Sequence, residues 1–144
     1  MAKDEILIRW ATVEDAAVLV KLNDEFNGPG ATIPDVEDSL ANSKELVALA
    51  LKGEKAVGFA SAQYFKSFCY PHLCGEITEL YVVEKARGQG IAALLISFLE
   101  KEMQQRGVRS FKVLTGHDNE SAIKTYEKSR YVIVEEIVLE KELD

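Results

Sequence analysis

Positive charge is scarce in this chain of 144 residues: 17 lysines and arginines face 24 aspartates and glutamates, a formal net charge of −7. A general nucleic-acid binder presents a basic stripe to neutralise phosphates, so the balance argues against that class. A cationic small molecule suits an acidic field better, although acids also serve plain solubility. No apolar run is long enough to span a bilayer, so no membrane partner is expected. Cysteine is limited to Cys69 and Cys74, and two reduced, structural thiols are expected. The opening Met1-Ala2-Lys3-Asp4-Glu5 has two acids and no apolar run behind it, which reads as neither a secretory nor a transit segment and points to the cytoplasm. His72 and His117 have no second ligand pattern near them, so no metal site is expected.

Apolar residues at 47% and charged residues at 28% give the balance of a globular protein. The length suits a single domain over residues 1–144 and is too short for separate cofactor and substrate domains.

Ile6 to Arg9 reads as a first strand. Thr12-Val13-Glu14-Asp15 follows, a hydroxyl with an acid three residues later, which opens a helix. In that helix Leu19, Leu22 and Phe26 recur at helical spacing until Gly28-Pro29-Gly30 ends it. A shorter helix is expected after Pro34, with Val36 and Leu40 on one face. Leu46 to Leu51 and Ala56 to Tyr64, separated by Lys52-Gly53-Glu54-Lys55, predict an antiparallel hairpin. Phe65 to Cys74 reads as a loop and Glu76 to Val83 as a strand. From Gly90 the period becomes helical, with Ile91, Leu94, Leu95, Phe98, Leu99 and Met103 on one face and Gly107 as a left-handed cap. A strand at Phe111–Leu114, a helix at Asn119–Ser129 and a closing strand or strands over Tyr131–Leu139 complete the expected order.

The segment richest in chemistry joins a strand to the long helix: Val82-Val83-Glu84-Lys85-Ala86-Arg87-Gly88-Gln89-Gly90-Ile91-Ala92. A helix start carries unpaired N–H groups and the positive end of a dipole, and glycines let that backbone approach a phosphate. Arg87 adds a cation beside it. The same letters also satisfy a dinucleotide fingerprint, Gly88-x-Gly90-x-x-Ala93. That fold, however, places the turn in an early parallel βαβ unit with an acid about 20 residues further on, and here the next strand ends in Val113-Leu114-Thr115.

The turn resembles motif A of the GNAT acetyltransferases, Arg/Gln-x-x-Gly-x-Gly/Ala, at Arg87, Gly90 and Ala92. The late helix is similar to the family's Asn-x-x-Ala-x-x-x-Tyr-Glu-Lys pattern at Asn119, Ala122, Tyr126, Glu127 and Lys128. The element order follows the family over nearly the whole chain. The resemblance implies a mixed α+β fold whose mostly antiparallel central sheet, flanked by helices, splays open between the strand ending at Val83 and the strand ending at Leu114. It implies acetyl-coenzyme A as co-substrate, its pyrophosphate held by the backbone of Arg87, Gly88, Gln89, Gly90, Ile91 and Ala92. Its pantetheine arm would pair with the strand end Leu80-Tyr81-Val82-Val83, and Asn119, Ala122 and Tyr126 would face it from one side of a helix. A homodimer is the family's usual state.

Amide formation from a thioester develops an oxyanion, for which N–H groups near Val82 are candidates, and a thiolate, for which Tyr126 is the candidate proton donor. The incoming amine must lose a proton, to Glu79 first and Glu76 second. On a regular strand these two glutamates, three apart, face opposite sides. The acceptor site is expected between the two early helices and the Phe65–Cys74 loop, where Asp24, Glu25, Asp35, Glu37 and Asp38 favour a cationic amine of a small molecule or peptide. A module that binds acyl-coenzyme A without transferring the acyl group is the alternative. One departure from the family pattern stands out: Arg130 occupies the position where a helix-ending glycine is customary, which predicts a displaced helix end or a left-handed arginine.

Overall fold

A computed structural model describes residues 5–144. Most of the opening segment read above for targeting signals, residues 1–4, lies outside the described residues. Five strands form one sheet in chain order: β1 (Ile6–Trp10), β2 (Leu46–Lys52), β3 (Lys55–Phe65), β4 (Leu73–Val82) and β5 (Val108–Val113). The first three pairings are antiparallel, and β4 with β5 is parallel. Four helices flank the sheet: α1 (Ala16–Asn27), α2 (Ile33–Asn42), α3 (Ile91–Gln105) and α4 (Glu120–Lys128).

Local chemistry sets the boundaries. Thr12 N–H donates to Asp15 Oδ2 at 2.7 Å, the bond expected from the spacing, and Arg9 clamps the same carboxylate with two bonds of 2.8 and 2.9 Å. The end of β1 is thereby tied to the start of α1. Gly28, with φ 83°, ends α1, and the Thr32 side chain caps α2 by accepting from Asp35 N–H at 3.2 Å.

Each face of the sheet carries its own apolar layer. Ile91, Leu95, Leu99 and Met103 of α3 pack on Ala48, Ala50, Ala60, Ala62 and Ile77 of the strands. Alanines on β2 and β3 let a helix of large side chains lie close to the sheet. On the other face Leu19 and Leu22 of α1 meet Leu49 and Phe59, with Val36 and Leu40 of α2 beside them.

Three elements differ from expectation, the first being β4, which begins at Leu73, inside the segment read as a loop, rather than at Glu76. β5 begins at Val108 rather than Phe111, because the polar residues Arg109 and Ser110, which hide its start in the sequence, are exposed where the strand forms the sheet's edge. No strand forms over Tyr131–Leu139: beyond Tyr131 the chain runs unpaired and exposed, with a bend at Glu135. Its apolar residues are present as read, but a strand exists only against a partner, and no described element lies alongside.

Candidate active site

The β4–β5 ladder stops at Ile77↔Val113, while β4 continues to Val82 paired with β3 alone. Because β5 ends at Val113, the second half of β4 has no described strand beside it on that side, and an open gap lies there, next to where the strands are expected to part. The hydrogen-bonding phase follows from one contact, Val83 N–H to the Val57 carbonyl at 2.9 Å. By antiparallel alternation Tyr81 and Val83 bond toward β3, so Leu80 and Val82 turn their backbone groups toward the gap.

At the end of the gap lies the glycine turn. Gly88 and Gly90 have φ of 81° and 79°, and a Cβ at either would meet nothing within 4 Å. Left-handed backbone, rather than lack of space, is what requires glycine here. Gly90 opens α3 without a side-chain cap, and the first helical bond is donated by Leu94 to the Gly90 carbonyl at 3.1 Å. The N–H groups from Gly88 to Ala93 thus find no acceptor among the described residues, leaving a concentration of donors at the positive end of a 15-residue helix. The Gln89 side chain accepts from Lys52 Nζ at 3.1 Å. Arg87 is turned back, its Nε donating to the Val82 carbonyl at 2.9 Å and its guanidinium 5.9 Å from the Tyr81 ring centroid. It braces the strand end as well as carrying charge beside the turn.

On α4 the three motif residues run from surface to interior: Asn119 exposed, Ala122 half-buried, Tyr126 buried. Asn119 is the helix cap, its Oδ1 accepting from Ala122 N–H at 3.2 Å, which leaves the amide NH2 available. The Tyr126 hydroxyl has no hydrogen-bond partner among the described residues. Burial first, and the Glu79 charge second, push its phenol up to about 12. The predicted acid and base, 47 residues apart in sequence (126 less 79), are therefore electrostatic neighbours.

Of the two outcomes expected at the end of α4, the left-handed arginine is the one found. Arg130 adopts φ 73°, its N–H donates to the Glu127 carbonyl at 2.9 Å, and Tyr131 N–H reaches back to the Tyr126 carbonyl at 3.0 Å. This is a Schellman closure with arginine in the glycine position. The Tyr131 hydroxyl then donates to Glu100 of α3 at 2.7 Å, seating the helix end.

The two glutamates of β4 require a correction. The register shifts between Ser61↔Glu79 and Ala62↔Ile77, so Thr78 is an extra residue in β4. This bulge reverses the alternation: Ile77, Leu80 and Val82 all pack toward α3, and Glu76 and Glu79 share the opposite face instead of facing opposite sides. Of the two, Glu79 lines a cleft of about 230 Å³ between α1, α2 and the sheet. Leu19, Val36, Leu40, Val47 and Phe59 form its apolar walls, and Asn23, Ser39, Ser61, Glu45 and Glu79 its polar ones. A second hollow of about 500 Å³ shares Ser39 and Glu45 with it and reaches Phe65, Lys66 and Leu73 at the loop.

Glu45 has no precedent in the sequence reading. Burial, and then the charge of Glu79, raise its carboxyl above the usual value, while the nearby Ser61 hydroxyl offsets part of the effect. Ser61 and Thr78 hydroxyls are hydrogen-bonded at 2.8 Å, so the bulge itself is tied to the cleft. The acids expected there are elsewhere. Glu25 accepts from the Tyr81 hydroxyl at 3.0 Å, and Asp24, Asp35, Glu37 and Asp38 do not line the cleft. Both cysteines are free thiols, Cys69 exposed and Cys74 half-buried. Among the described residues no cluster of metal-ligating side chains forms, and no helix is long and apolar enough to cross a membrane.

A parted sheet with a donor-rich glycine turn at the mouth of the gap and a buried tyrosine beside it is the architecture of an acyl-group transferase. The sequence profile of the acetyltransferase (GNAT) family matches residues 15–130, and the chain belongs to that family. It is 33% identical over 109 residues to an acetyltransferase of Pectobacterium atrosepticum, covering 76% of this chain and 73% of that one. An uncharacterized N-acetyltransferase of Yersinia pestis is 32% identical over the same shares. Among solved structures, an aminoglycoside acetyltransferase from a soil metagenome, in complex with sisomicin, superposes with a TM-score of 0.83 at 16% identity, over 96% of this chain and 95% of that one. A ribosomal-protein-alanine N-acetyltransferase from Brucella melitensis gives 0.83 at 18% identity, over 97% and 100%. At such identities these two establish the shared fold.

Proposed function

We propose that the chain, acting as one cytoplasmic domain over residues 1–144, transfers an acetyl group from acetyl-coenzyme A to a primary amine of a small molecule or peptide by direct attack. The carrying observation is the run of unpaired N–H groups from Gly88 to Ala93 at the start of α3, lying where β4 outlasts β5, in a chain of the acetyltransferase family. Acetyl-coenzyme A supplies a thioester, which is activated toward amines.

In this reading the N–H groups from Gly88 to Ala93 hold the pyrophosphate, and the gap edge at Leu80 and Val82 pairs with the pantetheine arm. The amine enters the cleft from the α1–α2 side, its cationic form attracted by Glu45 and Glu79. Glu79 accepts the proton that must leave before nitrogen can attack. Backbone N–H at Val82 or Leu80 stabilises the oxyanion. Tyr126, held neutral by its raised pKa, donates its proton to the departing sulfur. The low volume and apolar walls of the cleft favour an amine on a short aliphatic or aromatic stem, and the hollow toward Phe65 leaves room for a longer body.

The aminoglycoside and ribosomal-protein enzymes that share the fold are consistent with either a small-molecule or a peptide acceptor. The test is thiol release from acetyl-coenzyme A against a panel of polyamines, aminoglycosides and peptide amines, alongside calorimetry of donor binding. Turnover on one class supports transfer. Tight binding without turnover on any amine supports the alternative, a silent acyl-coenzyme A sensor, and absent binding removes both.

A further inference from the structure

Between Ile77 and Leu80, β4 holds two residues where a regular strand has one. Both of those apolar side chains pack toward α3, so the core pins the bulge from either side. Thr78 and Glu79 are left to share the opposite face, across from the single residue Ser61. What the core does not decide is which of the two takes the place against Ser61.

The surroundings of Ser61 make that choice matter. Only 4% exposed, it is the one buried polar residue among the described residues, with Val47 across from it on β2 and Phe59 beside it on the same face. A hydroxyl among apolar neighbours keeps a partner, because leaving it bare costs the full desolvation of the group. Two candidates stand next to each other in the chain, the Thr78 hydroxyl and the Glu79 carboxylate. On strength alone Ser61 would go to the charged acceptor. The structure gives it to Thr78 instead, at 2.8 Å. Branching at Cβ leaves Thr78 few rotamers, and the one it adopts delivers Oγ1 to Ser61.

The consequence falls on Glu79. Thr78 is half-buried over Ser61, while Glu79 is exposed, lines the cleft and enters no ion pair among the described residues. A carboxylate held by a hydroxyl is a weaker base, because the donated bond favours the charged form.

We propose that Thr78 is a positioning residue: by taking up the Ser61 hydroxyl it withholds that hydroxyl from Glu79 and leaves the carboxylate facing the cleft. The kinetic consequence rests on the reading of Glu79 as proton acceptor, whereas the placement does not. Around Glu79 the groups that titrate are Glu45 on β2, Glu76 on its own strand and Tyr126 on α4, and α1 and α2 face the cleft with the neutral Asn23 and Ser39.

Tyr126 serves as the ruler, since the Glu79 charge raises its phenol. Ultraviolet titration without donor or amine, with Tyr126→Phe to assign the transition, reads how near the carboxylate stands. In Thr78→Val, which keeps the branched shape and loses the hydroxyl, Ser61 is expected to take the carboxylate, and the Tyr126 transition to move down in the direction that Glu79→Gln gives. With an accepted amine, kcat should fall about tenfold, part of the full contribution of a positioned base, with KM for acetyl-coenzyme A unchanged. Thr78→Ser keeps the hydroxyl and is expected to keep both readings. Ser61→Ala/Thr78→Val removes the hydroxyl that draws the carboxylate away, so both readings should return toward those of the unaltered chain. A bond that merely held the strands together would behave otherwise, with Ser61→Ala and Thr78→Val losing alike and the double variant recovering nothing. Thermal melts check that each variant folds, and Thr78→Ala replaces Thr78→Val if the valine variant does not. An unmoved Tyr126 transition in the variant lacking the Thr78 hydroxyl, or a double variant no nearer to the unaltered chain than the single one, would overturn the proposal. A transition that moves while kcat holds would support the placement and remove Glu79 as proton acceptor, so the two readings fail separately.

Discussion

The Tyr126 phenol on α4 lies close enough to the Glu79 carboxylate on β4 for that charge to add to burial in raising its pKa to about 12. A phenol so shifted keeps its proton through the neutral range, the state a proton donor requires. In the proposed transfer the two would divide the work, Tyr126 giving a proton and Glu79 taking one.

Tyr126→Phe is expected to lower kcat by about 100-fold, within the usual contribution of a positioned general acid, and to leave donor affinity nearly unchanged. The check is steady-state kinetics beside calorimetry. A second reading comes from ultraviolet titration of the phenols. The Tyr126 transition, assigned by its loss in Tyr126→Phe, should move down in Glu79→Gln because a negative neighbour has been removed. An unmoved transition would place the two groups too far apart for a joint mechanism.

Glu45 links the cleft to stability. Its folded-state pKa is raised, so the folded state binds its proton more readily than the unfolded chain does. The associated stability is fully present below the ordinary glutamate range and is lost as pH rises through the raised value. Glu45→Gln is therefore expected to raise Tm at neutral pH and to change it little in acid. In the transfer reading the same variant should raise KM for a cationic amine, since a charge facing the cleft is gone. Thermal melts across pH, read with amine KM, test both halves.

The glycine turn separates strain from binding. Gly90→Ala places a side chain at φ 79° without a clash, a backbone cost of about 1 kcal/mol. Gly28→Ala, at φ 83° and also in open space, is the control, since Gly28 ends α1 far along the chain from the turn. Both should lower Tm by a few degrees, roughly 2–4 °C per kcal/mol for a chain of this size. Only Gly90→Ala is expected to weaken acetyl-coenzyme A binding, by about tenfold, because only there does the backbone carry the donors. Equal affinity in both variants would remove the turn from the binding site.

Much of this arrangement is legible in the letters. The hairpin, α3 and the glycine turn follow from period and turn chemistry, which act over a few residues. The rest depends on neighbours distant in sequence. Glu45 looks like one more acid in Ser43-Lys44-Glu45, and only the packing of α1 and α2 over β2 and β3 desolvates it. The bulge at Thr78 leaves no local mark, yet it decides that Glu76 and Glu79 share a face. Residues 131–139 have every property of a strand except a partner, and pairing is not encoded in a segment alone.

Arg130 shows a local rule giving way to a tertiary one. Its left-handed backbone costs about 1 kcal/mol relative to glycine, and the closure it permits places Tyr131 against Tyr126, ring centroids 5.8 Å apart, and on Glu100. Those contacts hold the arginine where sequence preference would put glycine. Arg130→Gly is therefore expected to raise stability by about 0.5–1 kcal/mol, less than the full strain because glycine also frees the unfolded chain. Tyr131→Phe should do the opposite, since it leaves the Glu100 carboxylate without its donor. Chemical denaturation of the two variants measures both signs. A destabilised Arg130→Gly would mean that the arginine side chain contributes a contact outweighing its backbone strain.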